Sequence, residues 1–163
     1  MLGVIIEPQP LVFKELKENY ASEPQLIFEN AAISHKDGEA KMYCTKAENG
    51  EHDSFLTTFR REVLESRIGR HAEIEEIDVA ALTFQTLIAR HSIGRVDLLQ
   101  IDAEGFDWEI LKLFDFNAYC PAIVRFEHVN LSRRELAEAV MLLAKLGYHL
   151  HRQATDIVAV RNN

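Results

Sequence analysis

Two carboxylates and a glycine stand at one junction of this chain. Asp102, Glu104 and Gly105 follow an apolar run, Val96 to Ile101, and precede a helical pattern carrying Trp108, Ile110 and Leu111. The run has β-branched residues at both ends and reads as a buried strand. Carboxylates placed where such a strand ends can bind hydroxyl groups or take a proton from one. In open α/β sheets the crevice at the carboxyl ends of the strands is where ligands bind. Acids ending a buried strand destabilise it unless they are paired or face a cleft. The same two acids also suit the positive end of a helix dipole, so a purely structural role stays open beside the chemical one.

A second acid, Glu7, ends the short apolar run Gly3 to Ile6. His128 follows Glu127 at the end of another run, Ala122 to Phe126. If that strand is a parallel neighbour of Val96 to Ile101, His128 lies on the same side of the sheet as Asp102. Its ordinary pKa of about 6.5 suits a general base acting on a hydroxyl, and a hydrogen-bonded structural histidine is the alternative. His149 and His151 share a strand face, but no carboxylate or cysteine completes a metal set. His35, His52, His71 and His91 read as surface residues. Asp53 and Ser54 read as a loop that can contact cofactor or substrate, or do neither. Ser54, Ser132, Cys44 and Cys120 have no neighbouring base in sequence, which argues against nucleophilic catalysis.

The composition limits the partners. The 163 residues suffice for one domain with a substantial core. A net charge of -8 with scattered Lys and Arg argues against nucleic acid and anionic membrane surfaces. The two cysteines, far apart and without a CxxC partner, predict a reduced, cytoplasmic setting with both thiols in the core. No apolar run approaches membrane-spanning length. The amino terminus lacks the basic region and cleavage site of a signal peptide, and reads as a strand with no lead-in.

The elements that must position these groups alternate. Strand Gly3 to Ile6 is followed by an amphipathic helix, Pro10 to Tyr20, carrying Phe13 and Leu16. Leu26 to Phe28 is a strand that Ala31 to Ser34 can continue. Lys36 to Gly38 is a turn, and Glu39 to Thr45 alternates weakly, as an exposed strand does. Ala47 to His52 is a polar loop, and Asp53 to Leu64 carries no clear pattern. Ile74 to Val79 is a strand; Thr83 caps a helix through His91 with Phe84, Leu87 and Ile88 inward. A helix runs from near Asp107 to Phe114. Ser132 to Glu135 form a capping box for a helix with Leu136, Val140, Leu143 and Ala144 inward, ended at Gly147. Tyr148 to Arg152 and Ile157 to Val160 are joined so closely that they must pair antiparallel. The sum is an α/β domain with a mostly parallel sheet and an antiparallel C-terminal hairpin.

Several of these segments together resemble the FkbM family of S-adenosylmethionine-dependent O-methyltransferases. Ile5-Ile-Glu-Pro-Gln-Pro10 and the following Leu16-Lys-Glu-Asn19 look like that family's second strand and helix. Asn30-Ala-Ala-Ile-Ser34 looks like the segment after its third strand. Leu98-Leu-Gln-Ile-Asp-Ala-Glu-Gly105 resembles its most distinctive block, with Gln100 where a lysine usually stands. Val124-Arg-Phe-Glu-His128 resembles its fifth strand. The resemblance covers nearly the whole chain. It implies a class I, Rossmann-like methyltransferase fold, a three-layer sandwich, as one domain over residues 1–163. It implies S-adenosylmethionine as cofactor and a small-molecule or sugar hydroxyl as acceptor. Glu7 then holds the ribose hydroxyls, Asn30 and Ala31 lie near the adenine, and Asp102 and Glu104 line the cofactor site. Asp102 or His128 gives base assistance to the methyl transfer.

One part of the family pattern is missing. Its first strand and Gly-rich loop should precede Glu7 by about twenty residues, as in other dinucleotide-type sites. Only six residues precede Glu7, and no two of the seven glycines have G-x-G spacing. The chain thus resembles a member without its N-terminal portion, its first strand absent. Such a chain is expected to have open strand edges. It would cover them with a second copy or another chain, or bring Gly3 to Ile6 directly beside Val96 to Ile101. Two other functions compete with catalysis by O-methyl transfer. One is a degenerate or truncated domain that acts in binding or assembly; the other is nicotinamide binding, where an acid also ends the second strand.

Overall fold

In the computed structural model, which describes residues 3–46, 52–68 and 73–161, the first apolar run forms β1 (Gly3–Ile6). It pairs in parallel with β2 (Leu26–Glu29), Gly3 opposite Leu26 and Ile6 opposite Glu29. The crossover between them is helix α1 (Pro10–Asn19). Pro10 sits in its first turn, and the Gln9 side chain caps it by accepting from the amides of Leu11 and Val12. The capped register puts Val12, Phe13 and Leu16 on the partly covered face, while Tyr20 is exposed.

Ala31 to Ser34 does not continue β2. Asn30 turns back to the Glu7–Pro8 carbonyls, and β3 (Ala32–Ile33) leaves to pair in parallel with β6 (Ile74–Leu82). β6 pairs antiparallel with β4 (Gly38–Lys46), which pairs antiparallel with β5 (His52–Thr58), giving the order β3-β6-β4-β5. β4 is therefore internal, with Met42 and Cys44 buried, and is not the exposed strand its weak alternation suggests. Ala32, Met42 and Val79 make one core cluster, with Ala40, Phe59 and Ile77 packed against it. The unpatterned stretch from Asp53 resolves into β5 and helix α2 (Arg61–Ile68), which buries Val63 and Leu64. Asp53 and Ser54 thus lie on a strand, not in a loop. The expected polar loop falls, except for His52, on residues 47–51, outside the described residues.

Helix α3 (Phe84–Arg90) starts as expected, with Thr83 Oγ1 accepting the Thr86 amide. Within α3 the chain divides into two compact units, one ending at Thr86 and the other beginning at Leu87.

The second unit holds β7 (Leu98–Ile101), α4 (Asp107–Leu113), α5 (Phe116–Tyr119) and β8 (Ile123–Glu127). They are followed by α6 (Arg133–Lys145), β9 (Tyr148–Gln153) and β10 (Asp156–Arg161). Its sheet has the order β7-β8-β10-β9; β7 and β8 run parallel, and the hairpin is antiparallel as predicted. Register sets the two faces. Leu99, Val124 and Ala159 align, as do Ile101, Phe126 and Ile157, and all six are buried, while Leu98 and Ile123 are exposed on the other face. The Ser132–Glu135 capping box forms, and α6 buries Ala139 and Leu143. Ala139, not Ala144, completes the inward stripe, since Ala144 is exposed.

The expectation of one mostly parallel sheet is corrected. Among the described residues there are three separate sheets, joined by three parallel and four antiparallel pairings. Links too short for a crossover helix force the β9–β10 and β4–β5 pairs to be antiparallel. Among the described residues β1 pairs with β2, and β7 pairs with β8. Cys44 is in the core as expected, but Cys120 is exposed. Among the described residues no helix is long and apolar enough to cross a membrane.

Candidate functional site

Each unit carries predicted site residues at a strand's carboxyl end. In the first unit, Glu7 leaves β1 with its amide bonded to the Glu29 carbonyl at 3.0 Å. Pro8 and Pro10 stiffen the turn that follows. Glu7 Oε1 accepts the Gln9 amide at 2.8 Å, which fixes the carboxyl in that turn. Burial pushes its pKa above the ordinary carboxylate value, against the pull of the Gln9 amide. Asn30 Nδ2 donates to the carbonyls of Glu7 at 2.8 Å and Pro8 at 3.1 Å. Its amide is thereby part of the frame that holds Glu7, and Ala31 beside it is buried.

Gln9 was not singled out from sequence. It is buried, and its Oε1 is oriented by two backbone donors, so the amide cannot be flipped without facing donor to donor. Its Nε2 is then a buried donor with no acceptor among the described residues. A buried donor in that state calls for a partner.

In the second unit, the parallel register of β7 and β8 brings the residues after Ile101 beside those after Phe126. Asp102 is exposed there, and Glu104 takes the left-handed conformation with φ 48°. Asn130 Nδ2 donates to Glu104 at 3.0 Å and to Glu127 at 2.7 Å, so one amide joins the acids of the two strand ends. The centre of the cluster is Asp107, fully buried at the first turn of α4. Its Oδ2 accepts the Gly105 amide at 3.2 Å and its Oδ1 the Glu127 amide at 3.1 Å. Burial, with the nearby charges of Glu127 and Asp102, raises its pKa to about 7 despite the amides that favour the anion.

His128 is buried and its backbone amide is tied to the Thr155 carbonyl at 2.9 Å. Arg152 Nε donates to His128 Nε2 at 3.1 Å. A guanidinium only donates, so Nε2 is the acceptor and the neutral ring carries its proton on Nδ1. The lone pair a base would use is directed at Arg152 in this arrangement.

The second unit thus brings together Asp102, Glu104 and His128, and adds Asp107, Asn130 and Arg152. Asp107 was readable only as a third acid within six residues of one strand–helix junction. Asn130 and Arg152 carry no sequence signal, because only the β8–α6 turn and the β9 register bring them to the cluster. No group of three metal-ligating side chains occurs among the described residues.

The model of the methyltransferase FkbM domain matches residues 1–150. Neither the curated proteins nor the solved structures give a match. With a family match over most of its length and the Glu7 and Asp102–Gly105 blocks at strand ends, this chain belongs to the FkbM methyltransferase family.

Proposed function

We propose that the protein is an S-adenosylmethionine-dependent O-methyltransferase acting on a hydroxyl of a small molecule or sugar. The family match over residues 1–150 carries this reading. The turn after β1 fits the cofactor's ribose. Glu7 offers carboxylate oxygen, of which Oε1 holds the Gln9 amide and Oε2 takes no hydrogen bond among the described residues. Gln9 Nε2 is a buried donor awaiting an acceptor, and a vicinal diol supplies both donors and acceptors. When bound, the cofactor supplies an electrophilic methyl group on a sulfonium.

The chain's own part in the reaction is orientation and proton handling. Asp102, exposed at the end of β7, accepts the proton of the acceptor hydroxyl as the oxygen becomes nucleophilic. Asp107 and Asn130 hold the ends of β7 and β8 together beside it, and the Arg152–His128 pair ties the end of β8 to β9. Glu104 is held by Asn130 as part of that frame.

A thermal-shift comparison tests the reading. S-adenosylhomocysteine should raise the midpoint and NAD should not. Protection by NAD alone would assign the site to a nicotinamide-binding domain. Protection by neither would assign the chain to the binding-or-assembly reading without catalysis.

A further inference from the structure

At the opposite ends of β7 and β8 from Asp102 and His128, a cavity of about 400 Å³ opens. Arg95, Asp97, Tyr119, Cys120, Ala122 and Arg161 are among the residues that line it. The volume falls within the range of about 300–1,000 Å³ typical of small-molecule sites. It is separate from the acidic crevice, because the two lie at opposite termini of the same parallel strands.

The rim is fixed by backbone bonds. The Ile123 amide donates to the Asp97 carbonyl at 3.1 Å and the Arg161 amide to the Ala122 carbonyl at 3.0 Å. The buried Tyr148 hydroxyl donates to the Pro121 carbonyl at 2.6 Å. Cys120 is held in the left-handed region, φ 27°, and its thiol donates to the Phe116 carbonyl at 2.9 Å. A non-glycine residue keeps that conformation only where its surroundings impose it.

The charge here runs against the rest of the molecule. Two guanidiniums line the cavity with one carboxylate, in a chain of net charge -8. Asp97 is paired with Arg95 at 2.5 Å, and Arg161 has no ion pair among the described residues. Its charge is close enough to the Tyr148 hydroxyl to oppose the upward push of burial on that phenol.

We propose that this cleft binds a phosphate group, carried by a small phosphorylated molecule or present as the free ion. Arg161 and Arg95 grip the phosphate oxygens, and Tyr119 and Ala122 face the organic part of an ester. Guanidinium forks match phosphate geometry and favour a dianion over a single carboxylate. Asp97 competes with the ligand for Arg95 and so sets the affinity.

Calorimetric titration of the full chain with phenyl phosphate, and separately with inorganic phosphate, at low ionic strength tests this. Saturable binding of either is expected, and the tighter one identifies ester or free ion as the source. R161A should weaken binding roughly tenfold or more, the loss of one charge-assisted contact. D97N should tighten it severalfold, because it frees Arg95 and removes a like charge; a misfolded variant cannot produce that gain. No saturable binding up to about 10 mM, unchanged affinity in R161A, or weaker binding in D97N would overturn the proposal.

Discussion

The Asp107 carboxylate accepts the backbone amide of Glu127 at 3.1 Å across twenty residues of sequence, while its other oxygen accepts the Gly105 amide. One buried side chain therefore fastens the loop after β7 to the end of β8. The two hydrogen bonds favour the anion, and burial beside Glu127 and Asp102 opposes it; burial wins, since the pKa rises to about 7.

That balance fixes a pH dependence. The unfolded chain's Asp titrates near pH ~4, and the folded group holds its proton to about pH 7. Between those values the folded state binds more protons, so Asp107's contribution to stability falls as pH rises. The stability difference between wild type and D107N should therefore shift against the wild type from about pH 4 to about pH 7. The change should be on the order of a few kcal/mol. Urea unfolding of both proteins across that window measures it; a constant difference would show that Asp107 is ionised throughout.

The core of the second unit makes a sharper distinction between neighbours on α6. Leu143 is fully buried and Met141 is 53% exposed. L143A should lose about 2–5 kcal/mol, the transfer term plus the cavity it leaves. M141A should stay within about 0.5 kcal/mol of wild type. Denaturant midpoints decide this, and equal losses would mean that α6 is turned differently on its sheet.

Ser132 accepts the Glu135 amide at 3.2 Å while the Glu135 carboxylate accepts the Ser132 amide at 2.9 Å. S132A should remove about 1 kcal/mol, and E135A should act on the same box, so the double variant should lose less than the sum. Additive losses in chemical denaturation would show that the two bonds are independent.

Local signals were well preserved in the sequence. β1 has the limits its apolar run sets, the Ser132 box caps α6, and the two-residue link before Asp156 produces the predicted hairpin. Each depends on neighbours in sequence. What was not legible depends on distant pairing. Asn30 leaves β2 because it bonds the Glu7 and Pro8 carbonyls, and β4 is internal because β6 returns along it. The same holds in the crevice: Asp102 and Glu104 were visible as acids at a strand end, but the part of Asn130 needs the β7–β8 register. Gln9 was hidden for another reason, since its type gives no hint that one half of the amide caps a helix and the other half is buried without an acceptor.

The central claim is that Glu7 holds the ribose of a methyl-donor cofactor, and calorimetric titration with S-adenosylhomocysteine tests it most directly. The wild type should bind at a single saturable site. E7Q keeps the volume and the turn but loses the charge, so it should bind about 10- to 150-fold more weakly, the equivalent of ~1.5–3 kcal/mol for a hydrogen bond to a charged group. Wild-type protein that gives no saturable heat, or E7Q that binds as tightly as the wild type, would contradict it.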